Sequence, residues 1–468
     1  MHPTKIVAAL LACATCPLLS HAADGDPDPS FGSNGRQVIP FNLTPFGDDS
    51  AEVVLTTPNG GLYLVGNVRG DEGVEPPNGI GVVRLTSDGH ADTTYGPSFD
   101  GMVSSMPLEP DVDLRVHDAV LQTDGKLVVI GDVMRGAADT DIFACRFDTA
   151  GHLDVTFGGD PGLGCTYIGI ELNGGSRDYG RAVALQGDGK ILVAGDIYNQ
   201  DAGFYEAIVL RLDASGHADA TFGGSGHVIL FPNSATDTRL VDIVVGPDQR
   251  IVVAGDNQTT QNNRDFLAAA IEPSNGAVEW VEVIAFNQGG LNDDRASSVE
   301  VLPNGSVLVA GTVRSGPTQR LAGIAKLDAD GIPVPTFGTG EGRIVHSFCD
   351  QCERTVVADV LVQSDGRIAL AVTADVPGGG ASDMGLMRLM RDGSIDPTFG
   401  IGGRSRLGFD LIEDNSDDIA LSATLQSGRI VVAGQVAAQQ VDEDVDTDFA
   451  VIRTINDLIF VDGFEGGF

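Results

Sequence analysis

The stretch Asp188-Gly189-Lys190-Ile191-Leu192-Val193-Ala194-Gly195 decides the fold, because variants of it recur along the chain. A close copy runs from Asp124 to Gly131, and looser copies begin at Asn59, Asp248, Asn304, Asp365 and Ser427. The closing positions of successive copies lie 56 to 65 residues apart. A chain of 468 residues would ordinarily suggest about three domains. Seven units instead fill residues 23–457, which indicates a single repeat architecture.

A second phrase follows the first in each unit. Its fullest copy begins with Ala207-Ile208-Val209-Leu210-Arg211-Leu212 and continues through Asp219 to Thr221-Phe222-Gly223. The basic residue recurs as Arg84, Arg146, Lys326, Arg388 and Arg453, the carboxylate as Asp92, Asp154 and Asp396, and the aromatic residue as Tyr95, Phe157, Phe337 and Phe399. The fourth unit departs from the phrase, because Ala270 replaces the basic residue and the chain runs into Trp280 with no Phe-Gly.

Each unit is predicted to contain four short strands, placed in the third unit at 226–231, 181–186, 190–195 and 207–212. Turn glycines separate the second and third of these strands, because glycine reaches positive φ without strain; examples are Gly125, Gly189, Gly305 and Gly366. The strand glycines Gly195, Gly255 and Gly311 would permit close backbone approach. Four antiparallel strands repeated seven times predict an all-β, seven-bladed β-propeller.

The chain ends favour a closed ring over an open solenoid. Asp28-Pro29-Ser30-Phe31-Gly32 is the end of a second phrase that has no beginning. The last repeat, Asp448 to Arg453, begins a second phrase that has no end. Together the two pieces make one unit, so the strand near Arg36 should lie in the same blade as the last strands of the chain.

The repeats resemble the delta-60 repeat of bacterial exported proteins, whose pattern is close to Q-x-D-G-K-I-x-V-A-G and then R-L-x-x-x-G-x-x-D-x-x-F-G. The resemblance covers nearly all of the mature chain and implies an exported propeller-like protein, but it implies almost nothing about activity. The tail, 458–468, also looks like a short tail found on exported proteins of some Gram-negative bacteria. An edge strand that finishes the last blade is the alternative interpretation of this tail.

Residues 1–22 have the pattern of a secretory signal peptide. Lys5 supplies positive charge, the apolar run follows it, and Ser20-His21-Ala22 offers a cleavage site. A lipoprotein signal around Cys13 is the alternative. No later segment has 18 consecutive apolar residues, so no membrane span is expected. We therefore expect a secreted protein, or one in the periplasm or on the cell surface of a Gram-negative bacterium.

The formal net charge of −38 argues against nucleic acid as a partner, since phosphate binding needs basic patches. The acidic stretches 24–28 and 442–446 could hold calcium, although neither has a complete calcium-binding loop. Solvated acidic loops are the simpler interpretation, so no cofactor is expected and calcium is the open alternative. Three histidines follow turn glycines in successive units and are expected to be solvated turn residues rather than metal ligands: His90, His152 and His217.

Four cysteines follow the signal segment. Cys349 and Cys352 are predicted to form a loop disulfide, with a metal site that includes His346 as an alternative. Cys145 and Cys165 could form a second disulfide, or Cys145 could be a buried thiol.

The functional prediction is a non-catalytic binding or surface-interaction module that acts as a monomer on an unknown protein or surface ligand. No familiar catalytic motif occurs, and like groups are spread evenly over the units. The recurrent arginines and aspartates are expected to form partly exposed structural ion pairs that each contribute about 0–1 kcal/mol. The fourth unit and the insertion at 70–79 are the expected docking places. The alternatives are a hydrolase or lyase with a site at the channel mouth, and a calcium-stabilised structural protein of the envelope.

Overall fold

The computed structural model describes residues 23–41, 43, 47–69, 78–105, 112–136, 139–159, 163–230, 236–260, 263–289, 292–375, 381–409, 411, 417–441 and 444–456. The predicted signal peptide, the C-terminal tail and most of the insertion at 70–79 lie outside these residues. Within them, no helix is long and apolar enough to cross a membrane.

Twenty-eight strands account for nearly all regular structure in the described residues. The first fourteen are β1 (Arg36–Ile39), β2 (Ser50–Thr56), β3 (Leu62–Arg69), β4 (Asn78–Leu85), β5 (Met102–Ser105), β6 (Asp113–Leu121), β7 (Leu127–Gly136), β8 (Asp139–Phe147), β9 (Cys165–Ile168), β10 (Asp178–Leu185), β11 (Ile191–Asn199), β12 (Phe204–Leu212), β13 (His227–Ile229) and β14 (Thr238–Val245). The others are β15 (Ile251–Thr260), β16 (Asn263–Ile271), β17 (Val278–Ile284), β18 (Arg295–Val301), β19 (Val307–Arg314), β20 (Arg320–Leu327), β21 (Arg343–His346), β22 (Thr355–Val362), β23 (Ile368–Asp375), β24 (Ser382–Leu389), β25 (Arg404–Arg406), β26 (Asp418–Gln426), β27 (Arg429–Val441) and β28 (Asp444–Arg453). One 3₁₀ turn spans Leu172–Gly174.

The strands form seven four-stranded antiparallel sheets, which confirms the predicted seven-bladed propeller. Blades 1 to 6 each take four consecutive strands, beginning with β2, β6, β10, β14, β18 and β22. Blade 7 combines β26, β27 and β28 with β1. The innermost strands of successive blades contact one another around the ring, and β26 contacts β2 to close it.

The order of strands within a blade differs from the predicted order. The strand that follows Phe-Gly, such as β13, is the outermost strand of the preceding blade and does not begin a new one. Its hydrogen bonds go back to β12, where Ile208 faces Ile229. The repeat phrase alone could not fix this order, because it does not show with which neighbour the short fourth strand pairs.

Ring closure through the chain ends is confirmed. β1 pairs with β28, with Arg36 opposite Ile452 and Ile39 opposite Phe449. The N–H of Asp28 donates to the carbonyl of Arg453 at 2.8 Å, so the two halves of the second phrase are joined across the gap between the termini.

The last glycine of the first phrase lies opposite a β-bulge on the innermost strand. In blade 3 the bulge lies between Gly180 and Ala182, and Gly195 faces Gly180. A Cβ at Gly195 would lie 1.8 Å from the carbonyl oxygen of Tyr179, a distance that no side chain can occupy. The predicted close backbone approach is therefore present, and Gly255 and Gly311 have the same surroundings. In blade 6 this position is Val372.

The antiparallel order gives the ring two different faces. We call the face that carries the turns between first and second strands, and between third and fourth strands, the repeat face. It contains both repeat phrases. The opposite face carries the connections between second and third strands and the connections from one blade to the next. We call it the variable face, because these connections differ in length and sequence between blades.

Both cysteine pairs are joined in the structure. Cys145 on β8 lies directly opposite Cys165 on β9, and a disulfide links them within blade 2. The second disulfide, Cys349–Cys352, lies in the variable-face connection from blade 5 to blade 6. His346 contacts the carbonyl of Gly393 at 2.9 Å through Nε2. Since both thiols are used by the disulfide, they do not form the alternative metal site with His346.

Candidate functional site

The recurrent basic residues are part of a packing unit on the repeat face. In blade 3, Arg211 Nε donates to Asp219 Oδ2 at 2.9 Å, and the guanidinium lies 4.5 Å from the centre of the Phe222 ring. Asp219 Oδ1 accepts from the N–H and the hydroxyl of Thr221 at 3.0 and 2.6 Å. The same arrangement, which we call the Arg–Asp–Phe triplet, recurs as Arg84–Asp92–Tyr95, Arg146–Asp154–Phe157, Arg388–Asp396–Phe399 and Arg453–Asp28–Phe31.

The expected partial exposure of these ion pairs was wrong for most blades. Arg211 and Arg388 are each 1% exposed. Each guanidinium is buried because an aromatic ring lies beneath it and the next blade lies beside it. A turn carbonyl of that blade also accepts a hydrogen bond from the guanidinium, and for Arg211 it is the carbonyl of Pro273. Removal of such a buried arginine breaks charge-assisted hydrogen bonds to its own blade and to the next, so its cost is above that of a surface ion pair.

The aromatic residue of each triplet also joins its blade to the next. A Cβ built at Gly216, in the blade-3 turn, would lie 2.7 Å from the ring of Phe157 in blade 2. The N–H of Gly158 donates to the carbonyl of Ser215 at 2.8 Å. Seven ring–glycine contacts of this kind close the circle: Phe31–Gly89, Tyr95–Gly151, Phe157–Gly216, Phe222–Gly276, Trp280–Gly331, Phe337–Gly393 and Phe399–Gly25.

The irregular fourth unit keeps this contact with different residues. Trp280 takes the place of the phenylalanine, and its Nε1 donates to the carbonyl of Ala329 at 3.1 Å. Arg250, which immediately precedes the second strand, supplies the missing cation and contacts Glu279 at 2.9 Å. These residues are used in joining blades 4 and 5, so the expectation that the fourth unit is a docking place has no support on this face.

The three histidines of the repeat lie in exposed turns of this face, in three different blades. His152 and His217 each face an aspartate of their own turn at 3.6 Å. Asp24 and Asp28, in the first acidic stretch, contact Arg388 and Arg453. Across the described parts of the chain, no three His, Cys, Asp or Glu side chains are grouped so that they could hold a metal ion.

The variable face differs strongly between blades at the extra residue of each bulge. In blades 1, 2 and 3 this half-buried residue is Glu52, His117 and Arg181. In blades 4 to 7 it is uncharged, as Val241, Ser297, Ala358 and Leu421. At this position, charged and titratable side chains therefore occur on one side of the ring, in blades 1 to 3.

His117 and Arg181 lie within one chain of contacts. His117 Nε2 contacts Asp132 Oδ1, and Arg181 Nη1 lies 3.2 Å from the same nitrogen. On its other side Arg181 Nε donates to Asp196 Oδ1 at 3.3 Å. Burial raises the pKa of Asp196. Nε2 of His117 can accept from Arg181 when it carries no proton and can donate to Asp132 when it carries one.

The position that Asp132 and Asp196 occupy has a different role in other blades. It directly follows the closing glycine of the first phrase. In blade 4 the residue there is Asp256, which accepts the N–H of Ala296 in the next blade at 2.8 Å. Thr312 and Thr373 accept backbone N–H groups of the next blade in the same way, at 3.1 and 3.0 Å. In blades 2 and 3 the structure pairs Asp132 and Asp196 with side chains instead. Blades 2 and 3 therefore depart from the repeat at this position as well as at the extra residue of the bulge.

Tyrosines and arginines surround the same region. The ring of Tyr205 lies 5.1 Å from that of Tyr198 and 5.8 Å from that of Tyr179, centre to centre. The guanidinium of Arg181 lies 4.5 Å from the centre of the Tyr179 ring, and that of Arg239 lies 4.3 Å from the Tyr205 ring. Arg239 Nε is buried, and the described residues offer it no hydrogen-bond acceptor.

We call His117, Asp132, Arg181, Asp196, Arg239 and the three tyrosines the channel-mouth cluster. The sequence carried one signal for it that was missed, because four of the six tyrosines fall between positions 167 and 205. A polar cavity of about 380 Å³ adjoins the cluster at blade 1. Its lining includes Glu52, Asn67, Arg115 and His117.

A larger cavity of about 500 Å³ lies on the repeat face of blade 1. Thr57 and Gly61 line it. Blades 2 and 3 have a glutamine and a lysine at these positions, and both contact the triplet, as Gln122 and Lys126 do in blade 2. Smaller side chains account for this cavity, so we take it as a packing defect of the repeat.

Three further buried carboxylates follow the bulges of blades 2, 4 and 6. Asp118 accepts the N–H of Val183 in blade 3 at 2.7 Å and that of its own neighbour, Ala119, also at 2.7 Å. Asp242 and Asp359 make the equivalent pairs of bonds to blades 5 and 7. These aspartates join innermost strands, and burial raises the pKa of Asp118 to about 8.

Comparison with known proteins supports the fold and leaves the activity open. The family described as "Domain of unknown function (DUF5122) beta-propeller" matches residues 122–157, 186–222 and 363–399. No curated protein matches the chain.

Solved structures similar to this chain include proteins of several kinds. A protein of unknown function from Dyadobacter fermentans is 13% identical over 73% of this chain and 95% of its own, with a TM-score of 0.41. The polysaccharide lyase Uly1 is 10% identical over 90% and 93%, with a TM-score of 0.45. An α-L-arabinanase from Penicillium chrysogenum is 12% identical over 72% and 92%, with a TM-score of 0.42. These similarities are too low to assign an activity. The chain is a seven-bladed β-propeller, and three of its segments are similar to the DUF5122 β-propeller family.

Proposed function

We propose that this protein is an exported, non-catalytic binding module whose ligand occupies the channel-mouth cluster on the variable face of blades 2 to 4. The observation that carries this proposal is the gathering of unlike groups there, against the repetition of like groups elsewhere. Half-buried tyrosine rings, guanidinium donors and carboxylate acceptors together complement a ligand that has apolar faces and many hydroxyl groups. We therefore propose an oligosaccharide as the class of ligand.

The two faces of the ring support this placement. On the repeat face the arginines and aspartates of the triplets are used by one another and by the next blade, so these groups are not free for a ligand. On the variable face His117 and Arg181 are about one-fifth and one-quarter exposed. Loops and strand ends that vary over a repeating scaffold are the usual location of binding residues.

The remaining parts of the proposal come from the sequence. Residues 1–22 direct export, the mature propeller is a monomer of the delta-60 repeat type in the periplasm or outside a Gram-negative cell, and nucleic acid is not a partner. The two disulfides are compatible with an oxidising compartment. Calcium is not required. Chelation with EDTA should leave the melting temperature unchanged, and a clear fall would support the calcium-stabilised alternative.

The test is a binding screen followed by a matched pair of variants. The secreted protein is applied to an array of neutral and acidic oligosaccharides, and the best ligand is titrated by calorimetry. Arg181→Gln should weaken binding at least about tenfold, the loss expected for a hydrogen bond to a charged group. Arg429→Gln is the control, because Arg429 is also a partly exposed arginine paired with an aspartate but lies on the repeat face. Absence of binding across the array, or equal binding by Arg181→Gln, would contradict the proposal.

A hydrolase or lyase at the same channel mouth is the second candidate, and one observation favours it. Asp132 holds His117, and a histidine positioned by a carboxylate can act as a general base. Incubation of each array ligand with the protein should give no products if the module only binds. Turnover that is lost in His117→Ala, while calorimetric binding persists, would establish the enzyme instead.

A further inference from the structure

Four arginines lie at the variable-face edge of blade 5, where it meets blade 6. Arg314 at the end of β19 lies directly opposite Arg320 at the start of β20. Arg295 on β18 lies opposite Thr312, two residues before Arg314. Side chains opposite one another, or two residues apart on one strand, share a face of the sheet. Arg295, Arg314 and Arg320 therefore share one face of blade 5.

This face is turned toward blade 6. Thr312 Oγ1 accepts the N–H of Val357, which belongs to β22, at 3.1 Å. The N–H of Arg320 donates to the carbonyl of Glu353 at 2.7 Å, and the next residue along the chain is Arg354. The fourth arginine thus comes from the connection that enters blade 6, so the group lies between the two blades.

The described carboxylates neutralise only part of this group. Asp293 contacts Arg295 at 3.4 Å and is shared with Arg264 at 3.8 Å. The Arg314 guanidinium donates to two backbone carbonyls, those of Gly316 and Pro317. For Arg320 and Arg354, the described residues provide no side-chain ion pair, and Arg320 Nη1 is buried with no acceptor there.

Such an arrangement is costly without a counter-ion. Like charges directly opposite one another in a sheet are destabilising, and a buried donor without an acceptor loses its hydration with nothing in return. Burial lowers the pKa of Arg320, and the positive charge of Arg314 lowers it further. Two further carboxylates nearby, those of Asp294 and Asp375, accept the backbone N–H groups of Arg314 and Arg354 at 3.0 and 2.9 Å and form no ion pair with their guanidinium groups.

We propose that Arg314, Arg320 and Arg354 form an oxyanion-binding site that accepts a carboxylate, sulfate or phosphate group of a ligand. The planar guanidinium donates two parallel hydrogen bonds to two oxygens of such a group, and the buried Nη1 of Arg320 gains the acceptor it lacks. The site lies on blades 5 and 6, apart from the channel-mouth cluster. It does not depend on the function proposed for that cluster.

The experiment measures anion binding by the full mature protein at constant ionic strength set with sodium chloride. Sodium sulfate, inorganic phosphate and galacturonate are titrated separately by calorimetry, so that the three arms distinguish the kind of oxyanion. At least one should bind saturably to the wild-type protein. Arg320→Gln should weaken that binding at least tenfold. Arg343→Gln, which removes an arginine paired with Glu341 on the repeat face, should bind within twofold of wild type.

A second measurement separates binding from a structural role. Without added oxyanion and at low salt, Arg320→Gln should melt at or above the temperature of the wild type, because one repulsive charge is removed. Three results would overturn the proposal: no saturable binding in any arm, equal binding by Arg320→Gln, or a marked fall in the melting temperature of that variant without ligand.

Discussion

At the scale of single residues, the buried Arg–Asp–Phe triplet accounts for the most regular feature of the sequence. The arginine satisfies the aspartate of its own blade, covers the aromatic ring and donates to the next blade. One side chain therefore links three elements, which explains why the basic residue recurs in almost every unit. Lys326 in blade 5 is the weaker version, because Val334 stands where the aspartate would be and its amine lies 6.0 Å from the Phe337 ring.

Arg211→Ala is predicted to destabilise the protein by about 1.5–3 kcal/mol, because it removes the charge-assisted hydrogen bonds of a buried guanidinium, although Lys190 still contacts Asp219 at 3.2 Å. Arg84→Ala should cost less, since its ion pair is about one-fifth exposed. The melting temperatures of both variants and of the Arg211→Met/Asp219→Leu double variant check this. The double variant should recover part of the loss. Equal, small effects for both single variants would show that burial does not set the strength of the pair.

Titration of buried carboxylates predicts how stability changes with pH. Burial raises the pKa of Asp118 to about 8 and that of Asp242 to about 7, from an ordinary value of 3.8. Asp49, Asp178 and Asp256 also reach about 7. The folded state holds these protons more tightly than the unfolded chain does. Their stabilisation is therefore complete below pH 3.8 and is lost as the pH rises through 7 to 8.

The melting temperature should accordingly be higher at pH 5 than at pH 8. Aspartates of the triplets have lowered pKa values and act in the opposite direction, but only as the pH falls below 3.8. Asp118→Asn should reduce the slope between pH 5 and pH 8, because it removes one of the titrating groups. A melting temperature that rises from pH 5 to pH 8 would contradict the assignment.

At the scale of strands and blades, the bulge and its facing glycine shape the inner edge of the ring. The bulge adds one residue to the innermost strand, and that residue carries the groups of the channel mouth. Gly195→Ala should destabilise the protein by about 1–3 kcal/mol or more, because its Cβ would overlap the carbonyl of Tyr179. Gly159→Ala is the control, since a Cβ there meets nothing within 4 Å. Similar melting temperatures for the two variants would refute the steric argument.

Sequence reasoning reached the strands and turns because their signals are local. The Asp-Gly turn and the alternating residues beside it predict β10 and β11 without knowledge of any other blade. The outer strand was placed first in its unit and is in fact last, because it pairs with a strand on the far side of a long turn. The channel-mouth cluster was missed for a related reason. Arg181 lies 64 residues after His117 and 58 residues before Arg239. The three side chains meet only because three blades converge.

At the scale of the whole molecule, one blade is shared between the two chain ends. β1 covers the edge of β28, and the N-terminal segment around Asp28 completes the last triplet. Deletion of residues 26–42 should therefore destabilise the entire ring, since it exposes a sheet edge and removes the contacts of Phe31. Deletion of the tail, 458–468, is the matched control and should leave the melting temperature unchanged. A stable propeller after the first deletion would show that closure contributes little.

The central claim is that the repeat face holds the ring together and the variable face of blades 2 to 4 binds the ligand. Hydrogen–deuterium exchange of the secreted protein, with and without its best oligosaccharide, tests this directly. The account predicts slower exchange on binding in segments 113–117, 177–181, 196–205 and 237–239, and no change in the repeat-face turns around Gly189 and Gly216. Protection confined to the repeat-face turns, or exchange unchanged throughout at saturating ligand, would contradict it.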